Sequence, residues 1–277
     1  MTRPFVKMNG AGNDFVVVNA LETPFAPTAD QARAIADRKT GEGCDQLIAL
    51  EPSTTADAFM RVWNADGGVV ETCGNALRCI GWMLLQSTGK AEVTIDTLGG
   101  PTTARRAADG RITVDMGAPR LDWEQIPLDE AMDTRGIELQ VGPIDAPVLH
   151  TPGAVSMGNP HVVFFMDHTP DDAFVRGTGS LIEHHPRFPE GVNVGFAHVL
   201  APDHIRLRVW ERGAGLTRAC GTGACAALVA AARRGLTGRA ATIEVDGGTL
   251  RIEWDEASDH VFMTGPVEVE RTGTLSI

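Results

Sequence analysis

RVWNADGGVVETCG at residues 61–74 and RVWERGAGLTRACG at residues 208–221 decide how this chain is organised. Laid side by side without a gap, they share Arg, Val, Trp, a Gly, Cys and Gly, six of fourteen positions. Ordinary residue frequencies would give about one. The likeness extends upstream, where GNDFVVV (12–18) resembles GNPHVVF (158–164). Asn13 stands 60 residues before Cys73, and Asn159 stands 61 before Cys220. Two halves built to one plan, each with a Cys-Gly at the same place, is the reading that follows.

Outward from those segments the pattern is mixed. β-Branched and alternating runs predict strands at FVVVNA, QLIALE, FMRVW, EVTIDTL and RITVDMG in the first half. In the second they fall at HVVFFMD, VNVGFAHVL, HIRLRVW, ATIEVDGG and LRIEW. Helices are predicted at TADQARAIADR, capped by Thr28 or Asp30, and at NALRCIGWMLLQSTG and GACAALVAAARRG. The last two follow their Cys-Gly directly and stop at Gly89 and Gly235. Many strands and few helices per half favour an α/β fold of the α+β type, a sheet wrapped around a central helix. The proline-bearing GAPRLDWEQIP sets the boundary near residue 120.

With 277 residues, 43% of them apolar and 22% charged, the chain can bury a real core. A net charge of -12 argues against nucleic acid, which needs a basic face. It is compatible with a small, zwitterionic ligand. No apolar run approaches the ~18 residues of a membrane span, and MTRPFVKMNG lacks the apolar core of a signal peptide. Five cysteines, an odd number without an export signal, point to reduced thiols in a cytoplasmic protein.

A lone cysteine is more often a small buried hydrophobe than a catalyst. Cys73 and Cys220 occupy equivalent repeat positions, each opening a helix after a polar loop, and that favours chemistry. A helix N-terminus favours negative charge and lowers a thiol pKa. The amides of Gly74, Asn75, Gly221 and Thr222 can hold a carboxylate there. Cys79 and Cys225, among apolar helix neighbours, read as core, and Cys44 as packing. The spacings C-x5-C and C-x4-C fit no zinc site, so no metal is expected. GTGACA is a weak Rossmann signal, lacking a directly preceding strand. Only three lysines occur, Lys7, Lys39 and Lys90, and none stands in a pocket motif for pyridoxal phosphate. No cofactor is therefore expected. Two thiols of one kind suit inversion of a carbon stereocentre, in which one takes a proton from one face and the other returns one to the opposite face.

These residues resemble the diaminopimelate epimerase family. The resemblance runs from KMNGAGNDFVVV through DRKTGEGCDQL, FMRVWNADGGVVETCGNALRC, GAVSMGNPHVVFF, RFPEGVNVGF and RVWERGAGLTRACGTGACAA to VFMTGPVEV. It implies that Cys73 and Cys220 are the acid/base thiols, one ionised at rest. It implies that the amides at Gly74, Asn75, Gly221 and Thr222 bind the carboxylate at the reacting centre. Asn13, Gln46, Asn64, Asn159, Asn193, Glu211 and Arg212 would line the pocket. His161 and Glu211 would tune the thiols. Read without the family, Glu211-Arg212 could be a surface ion pair and His161 a core histidine. Ala76-Leu77 replaces the family's common Gly-Ala, tolerable if the helix has already begun, and Thr222 replaces a frequent Ser.

The resemblance further implies two similar α/β domains with the active site in the cleft between them. The C-terminal strand would complete the first domain, giving 1–119 with 266–277 and 120–265. It implies a homodimer acting on LL- and meso-2,6-diaminopimelate without pyridoxal phosphate. A proline or hydroxyproline racemase is the nearest rival, but those typically carry a His shortly after the first Cys-Gly, where this chain has Asn75-Ala76. A thiol redox or metal-holding protein is the rival of another class.

Overall fold

The computed structural model describes residues 2–276. Two compact units divide it, residues 2–115 with 264–276, and residues 116–263. The first carries β1 (Thr2–Gly10), β2 (Asn13–Asn19), α1 (Ala29–Ala36), β3 (Gln46–Glu51), β4 (Ala58–Asn64), β5 (Val69–Val70), α2 (Gly74–Thr88), β6 (Glu92–Thr97), β7 (Gly100–Arg106) and β8 (Ile112–Asp115). In the second, a short hairpin of β9 (Gln140–Val141) and β10 (Leu149–His150) precedes β11 (Gly153–Ser156), β12 (Pro160–Met166), α3 (Asp172–Glu183) and β13 (Asn193–Ala201). There follow β14 (His204–Glu211), β15 (Gly215–Thr217), α4 (Gly221–Arg233), β16 (Ala240–Val245), β17 (Gly248–Trp254) and β18 (Val261–Gly265). The chain then supplies β19 (Glu268–Ser276), which pairs antiparallel with β1 over Thr2↔Ser276 to Asn9↔Glu268.

Both units use one connectivity. β2 runs parallel to β3 across α1, β3 antiparallel to β4, and β4 parallel to β6 across α2. The same steps recur as β12 with β13 across α3, β13 with β14, and β14 with β16 across α4. Leu47 opposes Trp63 in the first unit as Val194 opposes Trp210 in the second. By this register Gln46 corresponds to Asn193, Asn64 to Glu211, and Phe15 to His161. Parallel neighbours need a crossover, and a helix supplies each one.

The strands are apolar on both faces because both faces are covered. Val16, Val18, Leu47 and Ala49 share a cluster with Ala32, Ala36 and Phe25 on the α1 side. With a period of two, Phe15, Val17 and Ile48 point the other way and are fully buried too. Val162, Phe164, Val194 and Phe196 likewise meet Val175 and Ile182 of α3. The opposite face of β12 and β13 therefore carries His161 and Asn193.

α2 packs on β1, β6, β7 and β8, and α4 on six strands from β11 to β17. Apolar almost all round, α4 is the wrapped helix that the pattern of its sequence predicts. α2 starts after Cys73 and ends at Gly89, which takes the left-handed conformation (φ 68°) that only glycine adopts at no steric cost. Thr28 caps α1 through a reciprocal bond pair with Gln31, so of the two predicted caps the threonine serves.

α3 has no counterpart in the sequence reading. Its Gly177 and Gly179 weaken the helical signal, by about 1 kcal/mol each relative to Ala. Asp171 caps it by accepting from the Phe174 amide at 2.8 Å. His184 is its exposed C-cap and His185 is half-buried against Phe188. β1, β7, β11, β18 and the short β5, β9, β10 and β15 are also additions to the predicted strands. No helix among the described residues is long and apolar enough to cross a membrane.

Candidate active site

Each unit carries a group of candidate residues at the N-terminus of its wrapped helix. In the first, Cys73 is the N-cap of α2, with an extended backbone (φ −144°, ψ 113°). The first intrahelical bond comes from the Leu77 amide to the Cys73 carbonyl, so the amides of Gly74, Asn75 and Ala76 have no acceptor within the helix. Ala76 lies inside this first turn and is fully buried, which accommodates its extra methyl. Asn75 is buried, its Oδ1 accepting from Arg78 Nη1 at 2.8 Å.

Asn13, at the start of β2, brings its amide to the same place. Its Nδ2 donates to Asp45 Oδ2 at 2.7 Å. A carboxylate only accepts, so this bond fixes the amide's orientation and turns Oδ1 towards Cys73, whose Sγ donates to it at 3.8 Å. Asp45 is held in turn. Its Oδ2 takes the Asp14 amide at 3.0 Å and its Oδ1 takes Arg38 Nη2 at 2.7 Å. Asp14 bridges Arg38 and the buried Lys7. On the next strands Gln46 and Asn64 face each other, Gln46 Nε2 donating to Asn64 Oδ1 at 2.9 Å. Gln46 Oε1 is buried and meets no donor from the described residues.

The group in the second unit is built alike, with different neighbours around its cysteine. Cys220 is the N-cap of α4, 5% exposed, and its Sγ accepts from the Gly223 amide at 3.3 Å. Thr222 Oγ1 lies 3.5 Å from that sulfur and 3.0 Å from His161 Nε2, and accepts from Asn159 Nδ2 at 3.3 Å. His161 Nε2 is also 3.0 Å from Asn159 Oδ1, an acceptor, so that nitrogen carries the proton. Burial, seconded by the Arg212 charge, pushes His161 down to about 3. It is a neutral imidazole near neutral pH, and it reaches Cys220 through the Thr222 hydroxyl.

Asn193 is buried behind this group, donating to the Pro160 carbonyl at 2.8 Å and accepting the Arg212 amide at 2.9 Å. Glu211 Oε1 accepts from the Thr217 hydroxyl. Arg212 is exposed, with Nη1 on the Glu190 carbonyl at 2.7 Å.

The remaining cysteines fall where the sequence places them. Cys44 sits in the α1-side core, where burial pushes its thiol up to about 11, and Cys79 is fully buried and pushed up to about 12 by burial. Cys225 is fully buried as well. Among the described residues no cluster of three potential metal ligands occurs. Asp14, Asp45, Arg38 and Lys7 escaped the sequence reading although all four lie in or beside the motifs it quotes. Asp45 directly precedes Gln46, and the signal was its place at the entry to the strand QLIALE.

A family model described as diaminopimelate epimerase matches residues 5–121 and 153–270. The diaminopimelate epimerase of Caulobacter sp. (strain K31) is 62% identical over 283 residues, covering 99% of this chain and 98% of its own. That of Phenylobacterium zucineum (strain HLK1) is 60% identical over 275 residues, with shares of 99% and 98%. Among solved structures, a hydroxyproline epimerase from Agrobacterium vitis gives a TM-score of 0.68 at 18% identity, covering 99% of this chain and 92% of its own. A phenazine biosynthesis protein of the PhzF family from Enterococcus faecalis gives 0.70 at 14%, covering 100% of both. Those identities speak for a shared fold, whereas the family model and the two epimerases match along nearly the whole sequence. The chain belongs to the diaminopimelate epimerase family.

Proposed function

We propose that this chain interconverts LL- and meso-2,6-diaminopimelate by proton transfer between Cys73, Cys220 and one α-carbon, supplying lysine and cell-wall precursor synthesis. The observation that carries this is the matched pair of half-sites. Each has a cysteine at the N-cap of a wrapped helix, and beside that helix's first turn an asparagine at, or one residue before, the start of the strand that leads into the first crossover. Inversion needs two such groups on opposite faces of one carbon, and a duplicated unit supplies groups of equal kind.

The local hydrogen bonds support distinct resting states. Cys73 donates to the Asn13 carbonyl oxygen, as a thiol does. Cys220 accepts the Gly223 amide, and Thr222, already accepting from Asn159, has its hydroxyl proton to offer the sulfur. Donors to sulfur favour thiolate. In the direction begun by Cys220, its thiolate removes the α-proton, and Cys73 delivers its own proton to the other face. The two sulfurs finish with exchanged protonation, ready for the reverse reaction. The amides of Gly74 and Asn75, and of Gly221 and Thr222, which precede the first bond of their helices, hold the carboxylate at the reacting centre and stabilise charge that develops there.

Gln46, Asn64, Asn193, Glu211 and Arg212 hold the far amino-acid end. Gln46 Oε1, a buried acceptor with no donor from the described residues, suits a ligand ammonium. Glu211 supplies a carboxylate and Arg212 a guanidinium for the two charges of that end. No cofactor enters the scheme, and the enzyme acts in the cytoplasm as a homodimer. The test is incubation of pure protein with LL-diaminopimelate in heavy water. The expected result is meso isomer bearing deuterium at one α-carbon. Absence of both products would end the proposal.

A further inference from the structure

Glu183 is a buried carboxylate that the scheme above does not use. It ends α3, is 6% exposed, and pairs with no lysine or arginine among the described residues. His184 Nε2 lies 3.7 Å from Oε1, and the His184 side chain is 77% exposed. Its two oxygens instead take two N–H groups. Oε2 accepts from Trp210 Nε1 at 2.7 Å and Oε1 from the Gly213 amide at 2.8 Å. Trp210 and Gly213 bracket Glu211 and Arg212, so one carboxylate ties both ends of the turn that carries them. The middle of the turn is tied by Asn193, through the Arg212 amide.

α3 is shaped for this reach. A Cβ on Gly179 would lie 2.5 Å from Trp210 Cβ, so only glycine lets the helix sit against the indole and bring Glu183 to its nitrogen. The turns of both units have an internal bond, in the second from the Ala214 amide to the Glu211 carbonyl at 3.0 Å, but the first unit's turn, after Trp63, draws its carboxylate from within itself. There Gly67 donates to the Asn64 carbonyl at 2.9 Å and Gly68 to Asp66 Oδ1 at 2.8 Å. A carboxylate brought in from another element thus serves the turn that bears an arginine.

We infer that Glu183 is a positioning residue that sets Glu211 and Arg212 for the non-reacting end of the substrate. The inference rests on the proposed function, which gives Arg212 that end to bind. Because this end does not change during turnover, its contacts are the same in ground and transition states. Loosening them raises KM and leaves kcat.

The test is Glu183→Gln in the full-length protein. Glutamine keeps the size but offers one acceptor, and its NH2 faces one of the two donors. The expected result is a rise in KM for LL-diaminopimelate of about tenfold or more, with kcat within about threefold of the parent. Hydrogen exchange over residues 208–217, measured without substrate, should show lost protection. A second variant keeps the idea falsifiable if the first folds poorly. Adding Trp210→Phe removes the conflicting donor, lets the glutamine oxygen face Gly213, and should return both KM and exchange towards the parent values. Lost protection with unchanged KM overturns the inference while the parent's turnover leaves the functional proposal standing. So does a fall in kcat as large as that in kcat/KM, or a double variant worse than the single one. A parent protein with no epimerase activity overturns both.

Discussion

Replacing Asp14 by Asn removes the carboxylate that faces a buried ammonium. Lys7 is 5% exposed, and Nζ donates to Asp14 Oδ2 at 2.6 Å and to the Gly43 carbonyl. Asparagine keeps the shape and leaves the Lys7 charge buried without its counterpart. Breaking a buried pair in this way costs about 3–5 kcal/mol. Asp14 is itself 14% exposed, so the low end applies. The share owed to Arg38 is smaller, since that side chain is 58% exposed and retains Asp45 at 2.7 Å; about 0–1 kcal/mol is its range. A loss of about 3 kcal/mol, with a urea slope of about 2 kcal/mol/M, moves the midpoint down by about 1.5 M. Urea unfolding read by hydrogen exchange over residues 2–19 reports the unit concerned. The double variant with Lys7→Met removes both charges and should recover most of the loss, because an apolar replacement of a whole pair is near neutral. Acid provides a second reading. Burial alone would raise the Asp14 pKa, but hydrogen bonds from Arg38 and Lys7 and the Lys7 charge hold it well below the usual carboxylate range. A depressed folded pKa gives stability that is complete above the unfolded value, near 4, and is lost as pH falls below it. The parent should lose this contribution below about pH 4 and the Asn variant should have none to lose. A midpoint shift under about 0.3 M, or a double variant as damaged as the single one, refutes the reasoning.

Ala at either Cys73 or Cys220 should lower kcat by about 10²–10⁴, whereas Cys44→Ala, deep in the α1-side core, should leave turnover intact; full activity in Cys220→Ala removes the two-thiol scheme. The pH–rate profile should be bell-shaped with both limbs belonging to the thiol pair. Neutral His161 supplies neither limb, and a limb that disappears in His161→Gln contradicts this. His161 also carries a stability signature: its folded pKa is lowered, so the unfolded chain binds the extra proton and stability falls as pH drops from 6.5 towards about 3. His161→Gln should flatten that slope by up to about 1.4 kcal/mol per pH unit in acid unfolding curves. Thr222→Val removes a hydroxyl donor to the Cys220 sulfur and should move the limb owed to that thiolate up by about one pH unit, with Thr222→Ser restoring it; an unmoved limb shows that the hydroxyl does not serve the sulfur.

Much of this was legible because it is local or duplicated. The Cys-Gly positions, the runs FVVV and HVVFF, and the glycine stop at residue 89 each report a backbone state or a buried face through adjacent residues. α3 was hidden because Gly179 serves Trp210 rather than helical propensity. β19 reads as EVERTGTLS, and only Leu275 among its residues is buried, so no apolar alternation marks it. Its partnership with β1 spans most of the chain, beyond the reach of any local pattern. The Lys7, Asp14, Arg38 and Asp45 network was hidden for a related reason. Its members stand up to 38 positions apart, and charges leave no periodic trace. Glu183 is hidden for the same reason, since the Trp210 and Gly213 N–H groups that its oxygens take lie 27 and 30 positions away.

That β19 belongs with β1 has a consequence for the growing polypeptide. Residues 116–263 hold one unit without interruption and can fold as soon as they leave the ribosome. The unit begun earlier must wait, with one edge of β1 bare, while that entire stretch is translated, about 8–30 s at ordinary elongation rates. A bare strand edge is a template for unwanted pairing. The first half to emerge is thus the last to be finished, and the nascent protein stays open to misassociation until β19 appears.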